Sequence, residues 1–253
     1  MLYLRHYFLS RTLIFFCLIF GIYGSESLRK ADVSKGKNTI FSSKILQPAS
    51  GKKPDSIVVL LHGYGDKSEN FIFLGALLAE FLPDSLFVAI EGPINCKTIH
   101  SGKQWLSISK NNPSQLLKEI NKLTPSLNQY LDDLLEKYQV PPEKLAILGF
   151  SQGARVSLHI GLRRAKCAGI VAFSGSYLDD ATAVNLSSPP ILLIHGEADK
   201  KVPSSLAKES YKQLETLKMP VTLILLPKVE HEIVPQGINI VGEFLKTCLE
   251  NKK

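Results

Sequence analysis

The sequence predicts an α/β fold, a doubly wound, mostly parallel sheet with helices on both faces. Three observations carry that expectation. Apolar runs recur at residues 57–61, 86–90, 145–149, 169–175, 190–196 and 221–226. Runs apolar at successive positions describe strands buried between two helix layers. Helical segments separate the runs, and alternating strands and helices imply parallel pairing through crossovers. Finally, the runs ending near 61, 149 and 196 each stop in a glycine-bearing turn, and open sheets of this kind place their chemistry at the carboxyl edge.

A chain of 253 residues suits one large domain with a substantial core. Hydrophobic residues make up 45% and charged residues 21%, which excludes a disordered or low-complexity chain. The net charge of +7 and pI near 9.1 would suit anionic lipid or nucleic acid. The basic residues are scattered and carry no interleaved aromatics, so a solvated lysine-rich surface accounts for the charge and no nucleic-acid partner is expected. Membrane-surface contact stays open on charge alone. Besides Cys17 there are Cys96, Cys167 and Cys248, an odd, widely spaced set without metal-ligand spacing. Cys96 and Cys167 read as buried small hydrophobes, with one disulfide and one free thiol as the alternative in an exported chain.

Residues 1–27 have the layout of a signal peptide. Arg5 and Arg11 supply a positive start, residues 12–23 are apolar, and Gly24-Ser25-Glu26-Ser27 offers Ser25 and Ser27 as a cleavage-site pair. An apolar core of about 12 residues falls short of the roughly 20 that span a bilayer. The expectation is therefore a removed leader and export to the periplasm or beyond, with a membrane anchor or a cytoplasmic chain as alternatives. Residues 28–37 are polar and read as a linker, leaving 38–253 as a single domain.

Within that domain an edge strand is expected over 39–46 and a polar turn over 47–55. The strand at 57–61 then stops at His62-Gly63-Tyr64-Gly65-Asp66. Glycines there let backbone N–H groups point toward a ligand, and a helix follows over about 68–81. His62, early in the chain, reads as a loop-packing residue. After the strand at 86–90, Glu91-Gly92-Pro93 opens an irregular segment to Asn112 that holds Trp105, the only tryptophan. Trp105 is either a packing anchor or a wall of a substrate pocket. A short helix is expected over 113–123, and Thr124-Pro125 signals a second start, threonine capping and proline in the first turn. Leu127, Leu131, Leu134, Leu135 and Tyr138 form one apolar stripe on that second helix.

The run at 145–149 leads into Gly149-Phe150-Ser151-Gln152-Gly153, with helical spacing from Gln152 onward. Strand, Gly-x-Ser-x-Gly and helix in that order describe a strained turn that lifts a serine hydroxyl above the sheet edge, glycines flanking it where strand and helix approach. The positive end of the following helix favours negative charge developing there. Asp199 follows the strand at 190–196 in the turn His195-Gly196-Glu197-Ala198-Asp199. His231 lies in the loop after the last strand. Serine, acid and histidine then stand in the chain order of one known hydrolase architecture. Asp179 and Asp180, after the preceding strand, are the rivals for the acid. For the base, His195 at a strand end and His159 within a helix lack the order and loop position of His231.

These motifs resemble those of the phospholipase/carboxylesterase family, which includes the acyl-protein thioesterases. The resemblance rests on Leu61-His62-Gly63-Tyr64-Gly65-Asp66, Gly149-Phe150-Ser151-Gln152-Gly153, Phe173-Ser174-Gly175, His195-Gly196-Glu197-Ala198-Asp199 with Val202-Pro203, and His231-Glu232, and spans residues 56–249. It implies an α/β-hydrolase fold, no cofactor or metal, and hydrolysis of carboxylic esters or thioesters, lysophospholipids among them. Ser151 would be nucleophile, Asp199 acid and His231 base, with the N–H groups of Tyr64 and Gln152 as oxyanion hole. The sequence departs from many relatives in having Leu106-Ser107 after Trp105, where Phe-Asp is frequent, and in its leader. A silent binding module would be signalled by a missing triad member, and none is missing. A serine peptidase would use the same three residues, whereas a dienelactone-type hydrolase would place cysteine at 151.

Overall fold

The computed structural model describes residues 32–33, 41–107, 112–178 and 186–250. The leader and most of the segment 28–37 lie outside them. Ten strands are described: β1 (Asp32–Val33), β2 (Ser43–Leu46), β3 (Ser56–Leu61), β4 (Ser85–Ile90), β5 (Ile94–Asn95), β6 (Lys103–Gln104), β7 (Leu145–Phe150), β8 (Gly169–Phe173), β9 (Ile191–Gly196) and β10 (Val221–Leu226). The helices are α1 (Ser68–Leu78), α2 (Pro113–Tyr138), α3 (Gln152–Arg163), α4 (Ser204–Thr216) and α5 (Pro235–Glu250). Eight strands form one sheet in the order β1-β2-β4-β3-β7-β8-β9-β10. The pairs from β4 to β10 are parallel, whereas β2 and β1 add antiparallel at one edge. The expected α/β-hydrolase architecture is therefore present.

Side-chain alternation explains why the central strands read as unbroken apolar runs. Ile57, Val59 and Leu61 of β3 join a core with Ile120 and Leu127 of α2, Leu158 of α3 and Leu214 of α4. Val58 and Leu60 join a second core with Phe71 of α1 and Leu245 of α5. Every residue of β3, β4 and β9 is buried, as a strand covered on both faces requires. The parallel register also brings the strand ends level. Leu61 is opposite Gly149, Phe150 opposite Phe173, Phe173 opposite Ile194, and Gly196 opposite Leu226. Residues 62, 151, 174, 197 and 227 thus leave the sheet along one edge.

Two local expectations are corrected. The helices expected over 113–123 and from Thr124 are one helix, α2, of 26 residues with Pro125 inside it. Leu116, Ile120, Leu123, Leu127, Tyr130, Leu131 and Leu134 are buried in unbroken helical phase through the proline. Packing of that stripe outweighs the lost backbone bond. Pro125 itself faces solvent, and Thr124 donates its hydroxyl to the Ile120 carbonyl at 2.7 Å instead of capping a new helix. Second, the irregular segment after Pro93 holds a small hairpin, β5 paired with β6. Strands of two residues are too short to show a period in sequence. Lys103 of this hairpin exchanges backbone bonds with Gly65 and Asp66, at 2.8 and 3.0 Å, so the hairpin braces the loop after β3.

Among the described residues no helix is long and apolar enough to cross a membrane. Cys167 and Cys248 are buried, while Cys96 is only half-buried, because it stands on the exposed hairpin.

Candidate active site

Ser151 sits between β7 and α3 with φ 54° and ψ −112°, a left-handed backbone that a serine adopts only under constraint. The constraint is visible. Its N–H donates to the Phe173 carbonyl at 2.8 Å, and α3 is drawn tightly against the sheet. A Cβ on Gly149 would lie 2.1 Å from the Gly153 carbonyl oxygen, and one on Gly153 would lie 2.0 Å from that of Leu61. Only glycine fits at either flank, which is the physical content of Gly-x-Ser-x-Gly here.

The acid and base reach the same edge from neighbouring strands. Glu197 donates its N–H to the Leu226 carbonyl and Ala198 to that of Val229, both at 2.9 Å, stitching the loop after β9 to the loop after β10. His231 Nδ1 is 2.7 Å from Asp199 Oδ2, and His231 Nε2 is 2.9 Å from Ser151 Oγ. A carboxylate only accepts, so Nδ1 carries the proton and donates it, leaving Nε2 to accept from the serine hydroxyl. The Asp199 side chain is 0% exposed. Its Oδ1 accepts the N–H groups of Lys201 and Val202 at 2.9 and 2.8 Å, so the buried charge is fully bonded. Phe150 packs against the His231 ring, centroids 5.0 Å apart.

The loop after β3 faces this chain of bonds. Gly65 and Asp66 use their N–H groups on Lys103 and Gly63, whereas no bond engages the Tyr64 N–H among the described residues. The Gln152 N–H opens α3 and has no intrahelical partner to meet. The Tyr64 side chain points away to the hairpin, its hydroxyl 2.6 Å from Thr98 Oγ1.

Trp105 is 1% exposed and its ring lies beneath this loop, donating Nε1–H to the His62 carbonyl at 2.9 Å. Of its two expected roles, the packing anchor matches that placement; a side chain so covered offers no open wall. His62 is likewise buried. Its Nε2 accepts the Gly92 N–H at 2.9 Å and its Nδ1–H donates to the Gly63 carbonyl at 2.7 Å. Burial holds its pKa below the ordinary histidine value, keeping it neutral. His62 therefore packs the loop, as expected.

Two contributors were invisible in sequence. The Gln152 side chain accepts the Trp105 N–H at 2.7 Å and donates to the Leu106 carbonyl at 2.8 Å, stapling a loop 46 residues away to the serine turn. His195, set aside as a base, reaches the acid: its Nε2 is 3.3 Å from Asp199 Oδ2. His159 is buried within α3. Asp179 and Asp180 lie outside the described residues.

A serine turn of this geometry on a mostly parallel, doubly covered sheet defines an α/β hydrolase. The chain belongs to the phospholipase/carboxylesterase family, whose model matches residues 44–249, and that family consists of carboxylic ester hydrolases. Acyl-protein thioesterase 1 of Candida albicans is 30% identical over 230 residues, covering 82% of this chain and 98% of that one. Acyl-protein thioesterase 1 of Mycosarcoma maydis is 26% identical over 236 residues, covering 83% and 98%. The crystal structure of esterase PE8 superposes with a TM-score of 0.75 at 32% identity, covering 81% of this chain and 97% of that one.

Proposed function

We propose that the chain is a serine carboxylesterase that hydrolyses carboxylic esters or acyl thioesters, lysophospholipids among the candidate substrates, through an acyl-enzyme on Ser151. The observation that carries this reading is the unbroken chain from Ser151 Oγ to His231 to the buried Asp199, at 2.9 and 2.7 Å.

The geometry supports the following roles. His231 Nε2 takes the serine proton as Oγ attacks the acyl carbon, and Asp199 stabilises the imidazolium. The N–H groups of Tyr64 and Gln152 receive the oxyanion, each such donor being worth about 2.7–4 kcal/mol in the transition state. The tetrahedral intermediate collapses, and His231 returns the proton to the departing alcohol or thiol. Water, deprotonated by the same imidazole, then attacks the acyl-enzyme and releases the acid with Ser151 restored. Trp105 serves this chemistry from below, holding the loop that carries the Tyr64 N–H. The leader's composition supports export of the mature enzyme.

The test is hydrolysis of p-nitrophenyl esters from acetate to palmitate, with palmitoyl-CoA beside them and a peptide substrate as control. Turnover that Ser151→Ala abolishes, on esters or thioesters and not on peptides, is expected. Turnover surviving Ser151→Ala would refute the assignment. Silence of folded protein on every substrate would favour a binding module that keeps the fold.

A further inference from the structure

Asp199 Oδ2 is approached by two imidazoles. His231 Nδ1 lies 2.7 Å from it, and on its other side His195 Nε2 lies 3.3 Å away. His195 Nε2 is also 2.7 Å from the Val202 carbonyl oxygen. A carbonyl only accepts, so Nε2 must carry a proton. That N–H donates to the Val202 carbonyl, with the carboxylate of Asp199 beside it at 3.3 Å. It spans the turn whose Lys201 and Val202 N–H groups hold Oδ1. The His195 side chain is 1% exposed, and its Nδ1 is buried with no hydrogen-bond partner among the described residues.

The orphan atom decides the charge. Protonating Nδ1 would place an unpaired N–H and a full charge in the interior, which is costly. Desolvation accordingly pulls the His195 pKa below the ordinary value against the opposing pull of Asp199. The titratable groups acting on it are Asp199 and His231. A cation at this position would neutralise Asp199 and weaken the His231 base. An apolar residue would leave the turn untied.

We propose that His195 is a positioning residue for ester hydrolysis: a neutral N–H donor that fixes the acid turn and aims Asp199 at His231 without consuming the carboxylate's charge. The inference rests on the reading of Ser151, His231 and Asp199 as the reacting chain. His195 touches no substrate; it acts through Asp199.

The variants are His195→Leu, which removes the donor, and His195→Gln, whose side-chain amide can present a neutral N–H near the place of Nε2. Both are assayed on p-nitrophenyl butyrate, with kcat normalised to the fraction of Ser151 that a fluorophosphonate labels. His195→Leu should lose at least about tenfold in kcat with KM within about threefold, the pattern of a lost transition-state interaction. His195→Gln should recover most of that loss. A His195→Leu enzyme within twofold of wild type overturns the proposal, as does a loss that falls on KM instead of kcat or that Gln fails to rescue.

If His195→Leu does not fold, nitrogen-15 spectra of the wild-type imidazoles decide. An Nε2–H tautomer that titrates below an ordinary histidine is expected. An Nδ1–H tautomer, or titration at or above the ordinary histidine value, overturns it. Wild-type turnover that survives Ser151→Ala would sink the hydrolase reading and this inference together. Serine-dependent turnover with an indifferent His195→Leu sinks this inference alone.

Discussion

At the scale of single residues, the site's precision comes from side chains that hold other side chains. Asp199 fixes the tautomer of His231, and the amide of asparagine could not reproduce that bond with the same sense. Asp199→Asn should lower kcat by about 10^4-fold, as tautomer loss does in a serine triad, with circular dichroism unchanged; a loss under tenfold would deny Asp199 its role. Gln152 contributes both backbone and side chain. Gln152→Ala strands the Trp105 N–H and the Leu106 carbonyl and should cost about 1–3 kcal/mol in urea unfolding. An unchanged midpoint would show that loop to be held elsewhere. Ser151, Asp199 and His231, which the fold brings within hydrogen-bond reach of one another, stood out as candidates because each follows a strand and their order matches one architecture. The contact of His195 and the side-chain bonds of Gln152 were not legible, because their partners are backbone groups or a carboxylate whose positions only the folded loops define.

At the scale of elements, α2 shows packing overriding a local breaker. The signals at Thr124 and Pro125 are genuine, yet one apolar stripe runs through them and the helix continues. The proline still weakens it by removing a donor to the Asn121 carbonyl, a loss that faces solvent. Pro125→Ala should therefore raise stability by about 1–3 kcal/mol, read as a higher urea midpoint at constant slope. A lower midpoint would mean that the proline's bend is needed for packing. The β5–β6 hairpin marks the opposite limit of sequence reading. Two-residue strands carry no period, and the hairpin is recognisable only through the bonds Lys103 makes to the loop after β3.

At the scale of the whole molecule, parallel pairing delivers the loops after β3, β7, β9 and β10 to one edge, which is why strand runs alone pointed to the edge where the candidate site lies. The same burial gives the fold a dependence on pH. His62 and His195 are both held below the ordinary histidine pKa by desolvation. The unfolded chain takes up protons near pH 6.5 that the native state refuses. Their contribution is full above about pH 6.5 and is lost as pH falls toward the folded pKa values. The urea midpoint should fall between about pH 7 and pH 5, and the fall should flatten when both histidines are replaced by glutamine. A slope identical in that double variant would assign it to other groups.

The central claim is that Ser151, activated by His231, carries the acyl group. Intact-mass measurement after brief exposure to a fluorophosphonate tests it most directly. The predicted result is one adduct per chain, mapped to Ser151, absent in Ser151→Ala and formed far more slowly in His231→Ala. Folded protein that takes no adduct, or takes it at another residue, would contradict the claim.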